Sequence, residues 1–351
     1  MAEISAALAR LRRDPLAGDV RLDPLVGQLC RQASHVWRER LLPPLVTLRL
    51  FILQILLGNT AINNLRQKTG LNFAASSYCE ARARLPLAAL QALLAGMVDL
   101  VISSARKTCQ AARVFLVDAS SFSMPDTLEL REQFGLPKGT CAGVEGVAYP
   151  VAKIIALLDL ATGIFTRVLA QALYTHEFAT VSGVHDFLKA GDILVGDRGF
   201  SSYVHLAMLW TRGVYGCFRL HQKRKYKSLG LQQWNKPKTC PKWMDLIAFT
   251  LLPATLQVRL VKHRIGRPGY RTQEVVIATT LLDEQAWPDE KIAELFGCRW
   301  RIETCFDHIK TTMKMNVLKC QTVDGVMKEL AVYLLVYNLV WLAMLRAAER
   351  Q

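Results

Sequence analysis

The stretch Gly191-Asp192-Ile193-Leu194-Val195-Gly196-Asp197 decides how this chain is read. A short apolar run ends on an aspartate, and the chain then turns into a helix that begins near Ser202. A continuous run of this kind, bounded by Gly and Asp, predicts a strand covered on both faces. Upstream, Val114-Phe115-Leu116-Val117 repeats the pattern and ends on Asp118. Further strands are expected at Val151–Leu160 and Ile164–Ala170, joined by the turn Ala161-Thr162-Gly163. The segment 217–283 and its approach read as mostly β, with strands at Val214–Leu220, Phe249–Leu252, Leu256–Lys262 and Glu274–Thr280 and basic loops between. The fold class is therefore α/β, with two aspartates at strand ends, where side chains reach a cleft.

Outward from these strands the chain is helical. Runs such as Leu45–Leu57 and Leu85–Ile102, punctuated by Pro43-Pro44, Gly58-Asn59 and Pro86, predict an all-helical domain over 1–108. Within it, Thr60–Asn72 followed by Ala74-Ala75-Ser76-Ser77 has the spacing of a helix-turn-helix, and Arg82 and Arg84 suit phosphate contacts. Residues 284–351 lack the strands to fold alone, so 109–216 and 284–351 are expected to form one sheet domain interrupted by 217–283.

Composition narrows the partners. Among 351 residues, 51% are hydrophobic and 21% charged, which excludes a disordered chain. The net charge of +15 is unevenly spread: 217–272 holds 13 basic residues and 1 acidic, and 1–108 holds 14 and 7. Such concentration points to a polyanion. Nine cysteines show no C-x-x-C pair or metal-type spacing, so no zinc site is expected, and their odd number without a signal-peptide pattern leads to the expectation of reduced thiols and a cytoplasmic location. The apolar runs Leu45–Leu57, broken by Arg49 and Gln54, and Leu330–Leu345, which contains Asn338, fall short of the about 20 residues of a membrane span; no membrane partner is expected.

One continuous helix is predicted over 289–316. Leu295, Ile302, Phe306, Ile309 and Met313 share its apolar face, while Arg299, Glu303 and Lys310 line up on the other side. Alone, those charges read as ordinary pairing on a solvated helix. With Asp118 and Asp197, however, Glu303 completes three hard oxygen donors, the set that two Mg2+ or Mn2+ ions need. Two such ions, ~4 Å apart, activate an attacking oxygen and stabilise a leaving one in phosphodiester chemistry. Arg299 and Lys310 are then placed to bind the flanking phosphates.

Phe296, Arg299, Glu303 and Lys310 carry the spacing Y-x2-R-x3-E-x6-K, and here the sequence resembles the bacterial insertion-sequence DDE transposases that bear that signature. Trp300, Ile302 and Phe306 are also usual in that helix. The blocks Val117–Ser121 and Val195–Phe200 are similar to those around the family's two aspartates, and Tyr78–Pro86, Tyr149–Ala152 and Leu160–Gly163 also match. The resemblance spans roughly residues 45–345. It implies an RNase H-like catalytic core, a mixed sheet with flanking helices, interrupted by the β-rich insertion. It also implies binding to double-stranded DNA at terminal inverted repeats, strand cleavage by metal-activated water, transfer of the freed 3′-hydroxyl, and a homodimer on DNA. Phe296 departs from the signature: a phenol hydroxyl is missing, and weaker or altered end binding is expected.

Further DNA contacts are expected at Arg198, beside the second aspartate, at Lys223, Arg224 and Lys225 within the run to Lys227, and over Arg259–Arg271. Trp234 and Trp243 are candidates either for stacking on an unpaired base or for packing. Asp126, Asp159 and Asp192 read as turn residues, His176-Glu177 as a surface pair, and Asp307 as solvated. Two other functions fit the same residues: a DNA-binding protein that no longer cuts, and a metal-dependent nuclease without strand transfer.

Overall fold

From Leu22 to Arg106 the chain is helical, as its apolar runs predict; the computed structural model describes residues 22–106, 112–137, 148–265 and 273–348. The helices are α1 (Leu22–Gln32), α2 (Pro44–Leu56), α3 (Ile62–Thr69), α4 (Ala75–Arg84) and α5 (Leu87–Arg106). Pro44 opens α2, where its missing N–H costs nothing. Gly70, at φ +67°, closes α3 by donating its N–H to the Arg66 carbonyl. There follow β1 (Val114–Ser123), α6 (Leu128–Phe134), β2 (Val151–Asp159), β3 (Phe165–Ala172), α7 (Glu177–His185), β4 (Ile193–Gly196), α8 (Tyr203–Thr211) and β5 (Tyr215–Arg219). The chain continues through β6 (Gly230–Asn235), α9 (Leu246–Thr250), β7 (Thr255–Ile265), β8 (Gln273–Thr279), α10 (Asp289–Gly297), α11 (Trp300–Asp307) and α12 (Val323–Ala348).

The chain divides into two units. The first comprises Met1–Thr108, Ser121–Lys153 and Cys305–Gln351. In it α12 packs against α2 and α5, and Phe51, Ile52, Val98, Tyr333 and Val336 are fully buried. Within α12, Val323–Leu345 is long and apolar enough to cross a membrane, which corrects the expectation that this run is too short. The expected run stopped at Leu330 because Lys328 and Glu329 precede it. The helix accommodates both: Lys328 Nζ donates to the Ala83 carbonyl at 2.6 Å, and Glu329 accepts from Asn59 Nδ2 at 2.6 Å and from the Cys320 N–H at 2.9 Å. Some 72% of the apolar window is buried inside the protein, so its hydropathy is that of a core helix.

The second unit, Cys109–Ser120 with Ile154–Thr304, is built on an eight-stranded sheet of order β3-β2-β1-β4-β5-β8-β7-β6. The neighbours β1, β4 and β5 are parallel, whereas β8 joins β5 antiparallel and is followed by β7 and β6 in antiparallel pairing. Every residue of β4 is buried, as a strand covered on both faces requires. The strands of 217–283 thus continue the sheet that carries the two aspartates.

Three local expectations are corrected. Phe249–Leu252 is not a strand: Asp245 accepts from the Ala248 N–H at 3.0 Å and caps α9, leaving Phe249 buried and Leu251 exposed. The side-chain cap offers the backbone a helical turn that outweighs β propensity. Second, β1 does not end on Asp118. Its pairing with β4 stops at Val117, but it runs on to Ser123, whose N–H donates to Asn316 O at 3.0 Å and whose carbonyl accepts from Leu318 N at 2.9 Å. Third, 289–316 is not one helix. After Gly297 the ladder tightens, with Arg299 N bonding Phe296 O at 3.0 Å and Ile302 N bonding Arg299 O at 3.2 Å, and α11 starts afresh at Trp300. Glycine is the weakest helix former apart from proline, and the break falls beside it. Beyond α11, His308–Thr312 forms a π-helical turn. The expected apolar face survives these breaks, since Leu295, Ile302, Phe306, Ile309 and Met313 are all buried.

Candidate active site

Parallel pairing sets the position of the two aspartates. Val114 to Val117 lie opposite Ile193 to Gly196, so Asp118 and Asp197 each follow the last paired residue of adjacent strands. Asp197 opens a single 3-10 turn, Arg198–Phe200, closed by Phe200 N to Asp197 O at 3.0 Å. A buried histidine fixes that turn: His205 Nδ1 bonds the Phe200 carbonyl at 2.7 Å. Its Nε2 lies 3.0 Å from Nε2 of His185, with the rings stacked 5.0 Å apart. The tautomers follow from the bonds. His205 donates through Nδ1, so its Nε2 is an acceptor and His185 donates to it. The remaining His185 Nδ1 is an acceptor, consistent with its lack of a hydrogen-bond partner. Burial pushes His205 down to about 4, and burial with the neighbouring His205 and Arg212 pushes His185 down to about 2. Both rings are neutral near pH 7, as this bonding pattern requires. Neither histidine stands out from the sequence as a site residue; the available signal is two imidazoles among otherwise apolar helix faces.

The acidic groups act on one another. Asp118 Oδ1 accepts from the Ala119 N–H at 2.8 Å. Burial pushes the Asp118 carboxyl up to about 6; the Ala119 N–H and Arg299 oppose that rise, and the charges of Glu303 and Asp197 add to it. Asp197 Oδ1 is buried with no hydrogen-bond partner. Glu303 is ion-paired with Arg299 Nη1 one helical turn earlier. Arg299 is itself buried, its guanidinium carbon 5.8 Å from the Phe296 ring centroid and 5.2 Å from that of Trp300. The phenylalanine that departs from the signature is thus a buried neighbour of the arginine.

Among the described residues, no three His, Cys, Asp or Glu side chains are grouped closely enough to hold a metal ion. The donors nevertheless suit one. Asp197 presents an orphaned buried oxygen, and Asp118 is a carboxylate whose charge is costly where it stands, so a hard cation would satisfy both. Glu303 is turned to Arg299 instead.

The other expected residues fall in several places. Arg198 is exposed and donates to Gln222 Oε1 at 2.9 Å. Lys223 and Lys225 are exposed in the loop between β5 and β6. Arg224 instead lies over the Trp234 ring at 3.8 Å, and that indole is buried. Trp243 stacks on Phe178 at 5.5 Å, so both tryptophans take the packing role. Arg259 is corrected: it is buried, paired with Asp289, and donates to the Trp287 carbonyl at 2.7 Å, which removes it from any DNA surface. Residues 266–271 of that basic stretch lie outside the described residues. Lys310 is half-buried in the π-helical turn of the first unit.

The remaining aspartates have local roles. Asp126 pairs with Arg131, and Asp159 accepts from the Thr162 N–H at 2.8 Å. Asp192 accepts from Arg113 Nε at 2.7 Å and from the Lys189 N–H at 2.6 Å. His176 Nδ1 caps α7, and Asp307 accepts from Thr311 Oγ1 at 2.8 Å.

A family model described as "Transposase DDE domain" matches residues 110–339. The chain is similar to the protein named "Transposase InsG for insertion sequence element IS4" of Escherichia coli (strain K12), with 23% identity over 248 residues. That alignment covers 66% of this chain and 52% of the relative, so the chain spans about half of the relative's length. Among solved structures it is similar to a piggyBac transposase synaptic complex with hairpin DNA, at a TM-score of 0.45 and 8% identity. That superposition covers 99% of this chain and 77% of the other.

Proposed function

Because the chain belongs to the family of the transposase DDE domain, matched over well more than half its length, we propose that it cuts and joins DNA as the transposase of an insertion sequence. The observation that carries this reading is the level placement of Asp118 and Asp197 on adjacent parallel strands, with Glu303 and Arg299 acting on the same carboxylate. On this reading the second unit contains an RNase H-like core, and Asp118, Asp197 and Glu303 are its catalytic carboxylates. These carboxylates would hold two magnesium or manganese ions, which when bound would supply activation of the attacking oxygen and stabilisation of the leaving oxygen.

The chain's own residues do the rest. Asp118 lies within β1 and Asp197 directly follows β4, so the backbone pairing of these two strands sets their spacing. The His205 bond to the Phe200 carbonyl holds the turn that begins at Asp197. Arg299 and Lys310 bind phosphates flanking the scissile bond. The helical domain 1–108 and the basic segment 217–283 each bind the terminal inverted repeats, with Lys223 and Lys225 as exposed cations of the segment and Arg198 as an exposed cation beside Asp197. Two protomers pair two DNA ends.

The test is a cleavage and joining assay on DNA from the element's own ends, with Mg2+ or Mn2+. The native protein is expected to nick and join, whereas Asp118→Ala, Asp197→Ala and Glu303→Ala bind DNA but do neither. Binding without cutting by native protein and variants alike identifies a DNA-binding protein instead. Nicking without joined product identifies a nuclease.

A further inference from the structure

The buried guanidinium beside the acidic residues has more contacts than a phosphate-binding arginine needs. Arg299 is 8% exposed, ion-paired through Nη1 to Glu303, and flanked by the rings of Phe296 and Trp300. Its Nε is buried with no hydrogen-bond partner. Taking a charge this deep out of water is costly unless an opposite charge faces it, and here the opposite charges are the carboxylates themselves. The consequence is visible at Glu303: engaged with Arg299, it forms no three-residue cluster able to hold a metal with Asp118 and Asp197. A carboxylate bound to a guanidinium and the same carboxylate bound to a hard cation are competing arrangements.

We propose that Arg299 is a built-in counter-ion: it occupies Glu303 while the site is empty, and gives Glu303 up to a divalent cation and its own guanidinium to a DNA phosphate together. This inference rests on Asp118, Asp197 and Glu303 being the cation-binding carboxylates. The exchange keeps every charge paired, since the cation replaces the guanidinium at the carboxylates and the phosphate replaces Glu303 at the guanidinium. By linkage, cation and DNA then bind cooperatively, each raising the affinity of the other by the same factor. Arg299 acts on the reaction by positioning Glu303 as well as by touching substrate.

The experiment uses the full chain and Mn2+, followed by the electron paramagnetic resonance signal of free Mn2+ without DNA, and by anisotropy of labelled end DNA with and without Mn2+. For Arg299→Gln the expected result is Mn2+ binding without DNA at least about fivefold tighter than native, with the DNA-induced gain lost. For Glu303→Gln, which frees the guanidinium, the expected result is tighter DNA binding without metal and little further gain on adding Mn2+. Equal or weaker Mn2+ binding by Arg299→Gln overturns the proposal. Should that variant fail to fold, as judged by its melting transition, Arg299→Met removes the charge and keeps an unbranched side chain; Mn2+ binding no tighter than native then overturns it. Asp197→Asn is the control on the underlying assignment: unchanged Mn2+ affinity in that variant means the carboxylate assignment itself fails, whatever Arg299 does.

Discussion

Val117 lies opposite Gly196 at the last paired level of β1 and β4, and each is followed directly by an aspartate, Asp118 within β1 and Asp197 just beyond β4. The glycine is required by its neighbour. A Cβ at Gly196 would stand 2.8 Å from Val117 Cγ1 and 3.2 Å from the Phe218 ring. Gly196→Ala is therefore expected to push the strands apart where their spacing sets Asp118 against Asp197. A loss of about 1–3 kcal/mol in denaturant unfolding is expected, typical of an overpacked core, together with weaker Mn2+ binding. Adding Val117→Ala removes the closest clashing atom and should recover part of both. A double variant no better than the single one would show that the contact does not set the spacing.

Asp118 makes a pH prediction whose sign is fixed by its raised carboxyl. In the folded chain it titrates at about 6, whereas its ordinary value is 3.8. A raised carboxyl contributes stability that is complete below the unfolded value and lost as pH rises through about 6. At pH 7.5 without metal, Asp118→Asn should thus be more stable than native by roughly 3 kcal/mol at most. The advantage should fade as pH is lowered from 6 toward 4. Thermal melts of both proteins across that range check it, and a pH-independent difference would rule the cause out.

The histidine pair predicts the opposite slope. His205 and His185 are held below the ordinary 6.5, so their contribution is present above that value and lost as pH falls toward about 4. His205→Phe removes an ionisable group but leaves the Phe200 carbonyl unbonded, at a cost of about 1–3 kcal/mol at neutral pH. The variant should be less stable than native at pH 7.5 and lose less on acidification. Urea unfolding at both pH values measures the crossing, and parallel pH profiles would count against a titrating pair.

Much of the frame was legible because burial writes itself into composition. Val114–Val117 and Ile193–Val195 are continuous apolar runs because both faces of those strands are covered, and their terminal aspartates stand out by contrast. The helix break at Gly297 and the onward course of β1 were not legible, since each depends on which backbone groups meet across the fold. The Arg299–Glu303 spacing was visible, but not its burial: an i,i+4 pair reads the same on a solvated face and in an enclosed one. The histidine pair was hidden for a similar reason, being twenty residues apart and joined only when α7 and α8 fold.

The basic loop after β5 separates charge from packing, and salt dependence can tell the two apart. Lys223 and Lys225 are exposed, whereas Arg224 spends its guanidinium on the face of buried Trp234 at 3.8 Å. Burial also lowers the Arg224 guanidinium from its ordinary value. If the loop meets DNA, Lys223→Ala and Lys225→Ala should each lower the slope of log affinity against log salt by about 0.9, without changing stability. Arg224→Ala should behave differently. Losing a cation–π contact against a largely desolvated indole costs about 1–2 kcal/mol of stability, with only a small change in salt slope. Anisotropy titrations of end DNA at several salt concentrations, paired with urea unfolding, distinguish the roles. An Arg224→Ala variant with native stability and a full unit lost from the slope would reassign that arginine to the DNA surface, and lysine variants with unchanged slopes would remove the loop from it.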